Sequence, residues 1–175
     1  MSKIAIFFSP VGGSSNEVAN KLGEVIGKDK VDVTPLKEIN ADELNKYDKI
    51  FLVGSTVGGD HWASKTHEDD WMRFFSRIKD ISFENKKVAL VGLGDSVKYP
   101  SHFVDGMDVL AKEIEQQKGK VLGYVDAKDY HFTSSDAVNE KGFFCGLPID
   151  EDNEKELTLG RLEKWIDGLK SEFGF

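Results

Sequence analysis

Short, nearly unbroken apolar runs recur along this chain at residues 4–8, 31–33, 50–53, 88–91, 121–124 and 143–147. Runs of this length without polar alternation are expected of strands covered on both faces. Between most of them the apolar residues change to a helical period. Val18, Ala19, Leu22, Val25 and Ile26 form one stripe, Trp71, Phe74, Phe75 and Ile78 a second, and Phe103, Met107, Leu110, Ala111 and Ile114 a third. Asn40 is placed to cap a short helix through Leu44, and Thr158 to cap a last one that buries Leu162, Trp165, Ile166 and Leu169. Strands that alternate with helices predict an α/β protein with a parallel sheet wrapped on both faces. No repeat or linker divides residues 1–175, so a single domain is expected.

The rhythm breaks once. From Val125 to Gly142 the chain is polar, with Asp, Lys, Ser and one His, and has no helical stripe, which predicts a long excursion interrupting the last strand. Loops of that length are uncommon in compact domains and often serve function.

The net charge of −8, with a pI near 5.0, argues against binding to a phosphate backbone, which requires clustered Lys and Arg. Acidity on this scale serves solubility, or steers basic protein partners. Cys145 is the single cysteine, so an intramolecular disulfide is excluded and a reducing compartment is the natural setting. The N-terminus runs directly into an apolar, strand-like segment and no stretch approaches the roughly 18 apolar residues of a membrane span. A cytoplasmic, monomeric protein is the expectation.

In open parallel sheets, ligands bind beyond the carboxyl ends of the strands, so the loops that follow strands are the ones to inspect. The first contains Ser9, Pro10, Val11, Gly12, Gly13, Ser14 and Ser15. Its glycines, hydroxyls and following helix suit a phosphate group, although the same residues also make an ordinary turn and cap. It lacks both GxxxxGK[ST] and GxGxxG, so neither a nucleoside triphosphate nor a dinucleotide is indicated. The second loop brings Ser55, Thr56, Val57, Gly58, Gly59, His61 and Trp62, where a glycine pair lets a peptide reverse cheaply and an indole is available to cover a ring. The third runs from Leu93, Gly94 and Asp95 to Tyr99 and His102, and places Tyr99 where it can lie on a planar heterocycle.

Four segments carry a family resemblance. They are Val88-Ala89-Leu90-Val91-Gly92-Leu93-Gly94-Asp95 with Tyr99-Pro100, then Gly146-Leu147-Pro148-Ile149-Asp150-Glu151-Asp152-Asn153, Arg161-Leu162-Glu163-Lys164-Trp165, and Asp69-Asp70-Trp71. In order and spacing they resemble the flavodoxin family, in its long-chain branch, over essentially the whole chain. The resemblance implies a doubly wound five-stranded sheet of order 2-1-3-4-5, for which flavodoxin is itself a type example, with an insertion in the last strand. It also implies non-covalent FMN and low-potential, one-electron traffic between a reductase donor and an oxidoreductase acceptor. On that basis Ser9 to Ser15 hold the phosphate, Tyr99 covers the outer flavin face, Gly94 and Asp95 address the pyrimidine end, and Asp150 lies near the ribityl chain.

The sequence departs from the family pattern in three places. Pro10, Val11 and Gly12 replace two hydroxyls of the phosphate loop, and Pro10 removes an amide donor. The second loop is about five residues longer than usual, with Val57 where a stacking Trp is common; His102 stands where a small polar residue is frequent. An FMN-dependent reductase of a small substrate, or an FMN-poor interaction module on the same fold, are the alternative readings.

Overall fold

The computed structural model describes residues 3–55 and 70–175. The predicted alternation is present: β1 (Ile4–Ser9), α1 (Ser14–Ile26), β2 (Val31–Pro35), α2 (Ala41–Leu44), β3 (Lys49–Gly54), α3 (Asp70–Arg77), β4 (Lys87–Leu93), α4 (Gly106–Gln116), β5 (Lys120–Leu122), β6 (Val125–Asp126), β7 (Phe143–Phe144), β8 (Leu147–Ile149) and α5 (Thr158–Phe173). The main sheet is parallel, in the order β2-β1-β3-β4-β5, with β8 also paired to β4.

The apolar runs are continuous because each strand feeds two cores. In β1, Ala5 and Phe7 face one layer while Ile4, Ile6 and Phe8 face the other; β3 and β4 divide in the same way. One layer is closed by the stripes of α3 and α4, the other by those of α1 and α5. Full burial of a single Leu, Ile or Phe contributes about 1.5–3 kcal/mol, so these faces dominate the stability of the sheet.

The fifth strand position is split. β5 pairs with Lys87–Ala89 at the start of β4, and β8 pairs with Val91–Leu93 at its end. Residues 123–146 leave the sheet between them, a wider interruption than residues 125–142. Within it, β6 and β7 pair antiparallel, and Phe103, Tyr130, Phe132 and Phe144 form a ring cluster that covers the α4 side of the sheet. The run at 143–147 is therefore two short strands in different sheets.

Asn40 caps α2 as expected, its side chain accepting from the Glu43 amide at 3.0 Å. Thr158 does not cap α5. It is the first residue inside the helix, and its hydroxyl donates to Glu151 rather than accepting from an α5 amide. Among the described residues no helix is long and apolar enough to cross a membrane, and no cluster of His, Cys, Asp or Glu could hold a metal ion.

Candidate functional site

The sheet register brings three candidate loops side by side. Ser9 pairs with Gly54, and Gly54 with Gly92, so β1, β3 and β4 release their chains at one level of the sheet. Strand order reverses between β1 and β3, because β1 continues to β2 on one side and β3 to β4 on the other. That is the switch point at which a parallel sheet opens a crevice.

The first loop leaves β1 through a cis Ser9–Pro10 peptide and enters α1 with Gly13 as the cap residue and no side-chain cap hydrogen bond. The first backbone bond of the helix is Glu17 N to Gly13 O, so the amides of Ser14, Ser15 and Asn16 precede it at the positive end of the helix. Gly12 has a positive φ of 81°, and its amide donates to the Asn16 side chain. Among the described residues, no atom beyond the chain neighbours lies within 4 Å of where a Cβ would stand on Gly12 or Gly13, so these residues leave the mouth of the loop open. Ser15 is buried at 1% exposure, yet its hydroxyl has no hydrogen-bond partner among the described residues. Buried hydroxyls are seldom left so, because the desolvation cost goes uncompensated. The structure thus holds unspent donors around an open cradle that contains no Lys or Arg. Val11 and Ser14 are exposed at its rim, whereas Ser9 is buried and donates to Asp70 Oδ2 at 2.8 Å, tying β1 to the start of α3.

In the second loop Ser55 is half-buried at the end of β3. Thr56, Val57, Gly58, Gly59, His61 and Trp62 lie outside the described residues, as does Asp69. At the end of β3, Gly54 admits Trp71: a Cβ there would stand 2.7 Å from the indole.

The third loop is held rigidly from within. The Gly94 amide donates to Ile149 O at 3.0 Å, and Leu93 is buried in β4. Asp95 Oδ1 accepts from the Val97 and Lys98 amides and from Asn153 Nδ2. Those bonds, that of Lys98 first, hold its carboxyl below the usual carboxylate value. Tyr99 is 53% exposed, with Lys98 Nζ lying 5.3 Å from the ring centroid. His102 is exposed and paired with Asp105 at 3.0 Å.

Asp150 lies beneath that loop with no exposed surface. Its carboxylate accepts from Ser96 N and Oγ at 3.0 and 2.6 Å, from the Asp152 and Asn153 amides, and from Asn153 Nδ2. Burial alone would raise its pKa; the bonds from Ser96 and Asn153 outweigh it and leave the group below the ordinary value. Asp150 therefore locks the third loop to the end of β8.

Sequence reasoning missed what carries this loop from outside. Thr133 and Ser134 amides donate to Pro100 O, the Phe103 amide to Ser134 O, and the Asp136 amide to Asp105. The insertion is thus a buttress for residues 99–105, and its bonds join positions about 30 residues apart that no local pattern connects.

Fold and site together define a doubly wound α/β protein with a cradle of neutral donors and an exposed aromatic ring on neighbouring loops at the switch point. The family model for flavodoxin matches residues 6–165. The chain is 34% identical over 172 residues to the flavodoxin of a Nostoc species, with 98% of each covered, and 34% identical over 173 residues to that of Helicobacter pylori, with 99% of each covered. A solved structure of Fusobacterium nucleatum flavodoxin bound to flavin mononucleotide has a TM-score of 0.84 at 26% identity, and 99% of both chains is covered. The chain belongs to the flavodoxin family.

Proposed function

We propose that this protein binds FMN non-covalently in the crevice and carries electrons, one at a time and at low potential, between redox protein partners, as a monomer in the cytoplasm. The observation that carries the reading is the buried Ser15 hydroxyl beside the leading amides of α1, none of them bonded among the described residues. Such a set of neutral donors matches a phosphate ester, and it remains complete although Pro10 and Gly12 carry no hydroxyl.

The family's flavodoxins bound to flavin mononucleotide supply the cofactor, and a bound flavin provides a redox centre that accepts and releases single electrons. The chain's own residues set the conditions. Ser14, Ser15 and Asn16 amides with Ser15 Oγ would hold the phosphate, and Tyr99 would cover one ring face. Asp95 and Asp150, both kept ionised by their hydrogen bonds, oppose further negative charge at the crevice. Lys98 over Tyr99 is the cation that the third loop sets against them. Val11, Val97 and Tyr99 are exposed large apolar residues on the first and third loops, an apolar rim against which a protein partner can seat.

The test is FMN titration of the stripped protein, followed by turnover assays. Saturable binding, with NAD(P)H oxidation only when a reductase and an acceptor protein are both added, is the expected result. Steady NAD(P)H oxidation by the isolated protein would make it a reductase, and failure to bind FMN would leave only an interaction module.

A further inference from the structure

A second cavity lies along the β5–β8 edge of the sheet. It has a volume of about 670 Å³ and runs between the free edge of β5 and the flank of α5. Its lining runs from β5 through residues 123–130 and Leu147 of β8 to α5, and includes none of residues 9–15 or 93–102, so it is separate from the crevice loops. The volume is within the range of small-molecule sites, roughly 300–1,000 Å³.

The walls are aromatic and fixed. Trp165 Nε1 donates to Gly123 O at 2.8 Å, and a Cβ on Gly123 would stand 2.9 Å from that indole, so the close approach requires glycine. Tyr130 is clamped by Arg161, whose guanidinium lies 4.4 Å from the ring centroid and is itself paired with Glu154 at 2.7 Å. Tyr124 is 46% exposed in the same wall. Gly168 faces the cavity from the middle of α5, with nothing within 4 Å of a Cβ built on it. Ala there would favour the helix by roughly 1 kcal/mol, so glycine keeps a slot open at a cost to α5.

The charge lining differs from that of the whole chain. Four cations and three carboxylates surround the cavity, in a protein whose net charge is −8. Lys128 pairs with Asp126 at 3.8 Å and Arg161 with Glu154, which leaves Lys120 and Lys164 against Asp129 and Glu172, a balanced set in an acidic protein. The ammonium groups of Lys120 and Lys164 have no partner among the described residues.

We infer that this cavity is a binding site for a planar aromatic acid, with its ring in the slot between Trp165, Tyr124 and Gly168 and its carboxylate or phosphate on Lys120 or Lys164. The ring faces supply stacking and apolar burial, and the two free lysines select anions over neutral rings.

The probe is 2-naphthoate, titrated into the ¹⁵N-labelled full-length protein, with 2-naphthalenemethanol as its neutral counterpart. Saturable shifts of the Trp165 indole NH and the Gly123 and Gly168 amides are expected, with Kd on the order of 1 mM for a ligand of this size. Gly168→Phe fills the slot and should abolish the shifts, while Lys120→Glu with Lys164→Glu should weaken binding at least about fivefold by reversing the local charge. Shifts confined to the loop after β1 or to residues 93–102, no shifts, or unchanged binding in folded Gly168→Phe would overturn the site. Equal binding of the alcohol would overturn its selectivity for acids. Should Gly168→Phe not fold, the wild-type shift map and the lysine variant still decide.

Discussion

Ser15 and Asp150 are both buried polar residues at the ligand end of the sheet, and they meet burial in opposite ways. Asp150 is fully bonded by protein, whereas the Ser15 hydroxyl has no partner among the described residues. Deleting an unsatisfied buried group costs the fold nothing and can stabilise it. Ser15→Ala should therefore leave the apo protein's Tm unchanged or raised, while FMN binding weakens about tenfold, the value of a hydrogen bond worth ~1.4 kcal/mol. Parallel loss of Tm and affinity would show that the hydroxyl serves the fold. Asp150→Asn should do the reverse and destabilise by about 1–3 kcal/mol at pH 7, since a charged acceptor of several bonds is lost. The sign of the pH dependence follows from the direction of the shift. With a pKa below its unfolded value of about 3.9, Asp150 stabilises the fold above that pH, and the contribution disappears as pH falls through the folded value. Urea unfolding from pH 7 to pH 3 should show the wild type beginning to lose this contribution below about pH 3.9 and Asp150→Asn showing no such loss. Ser15 could be picked out in the sequence because it opens a helix after a strand. The lock on Asp150 could not, because its Ser96 partner lies 54 residues away.

At the level of elements, β1, β3 and β4 were legible because strands buried on both faces need unbroken apolar runs, and α1, α3 and α4 because their stripes have one outlet each. The 143–147 run misled for a physical reason. Local hydrophobicity reports that a segment is buried but not which sheet buries it, and Gly146 is where the chain passes from the β6–β7 pair into the main sheet. A Cβ on Gly146 would stand 2.3 Å from Leu90 O, a backbone atom of β4 that cannot step aside. Gly146→Ala should cost about 2–3 kcal/mol in urea unfolding, by forcing β8 away from β4. Because β8 carries Asp150 and bonds Gly94, the variant should also loosen the third loop and weaken FMN binding. Gly160→Ala is the control. Its Cβ meets open space on α5, and gains of roughly 0.5–1 kcal/mol are expected from helix propensity alone. Similar effects from the two substitutions would remove the packing explanation.

Across the whole molecule, net charge and the apolar rim act over different distances. A charge of −8 is felt by an approaching protein across a screening length of ~30 Å at 0.01 M salt but only ~8 Å at 0.15 M. Val11, Val97 and Tyr99 act only at contact. Long-range charge should therefore govern how often a basic partner arrives, and the rim how long it stays in a geometry that passes an electron. Stopped-flow electron transfer to a partner with a basic face should slow by about tenfold or more between 0.01 and 0.3 M salt. Val97→Ser, which removes apolar surface without changing charge, should lower the rate at every salt concentration and leave the slope intact. A rate indifferent to salt would mean that the acidity serves solubility alone. A slope changed by Val97→Ser would mean that the rim takes part in the encounter, and that steering and docking are not separable in this protein.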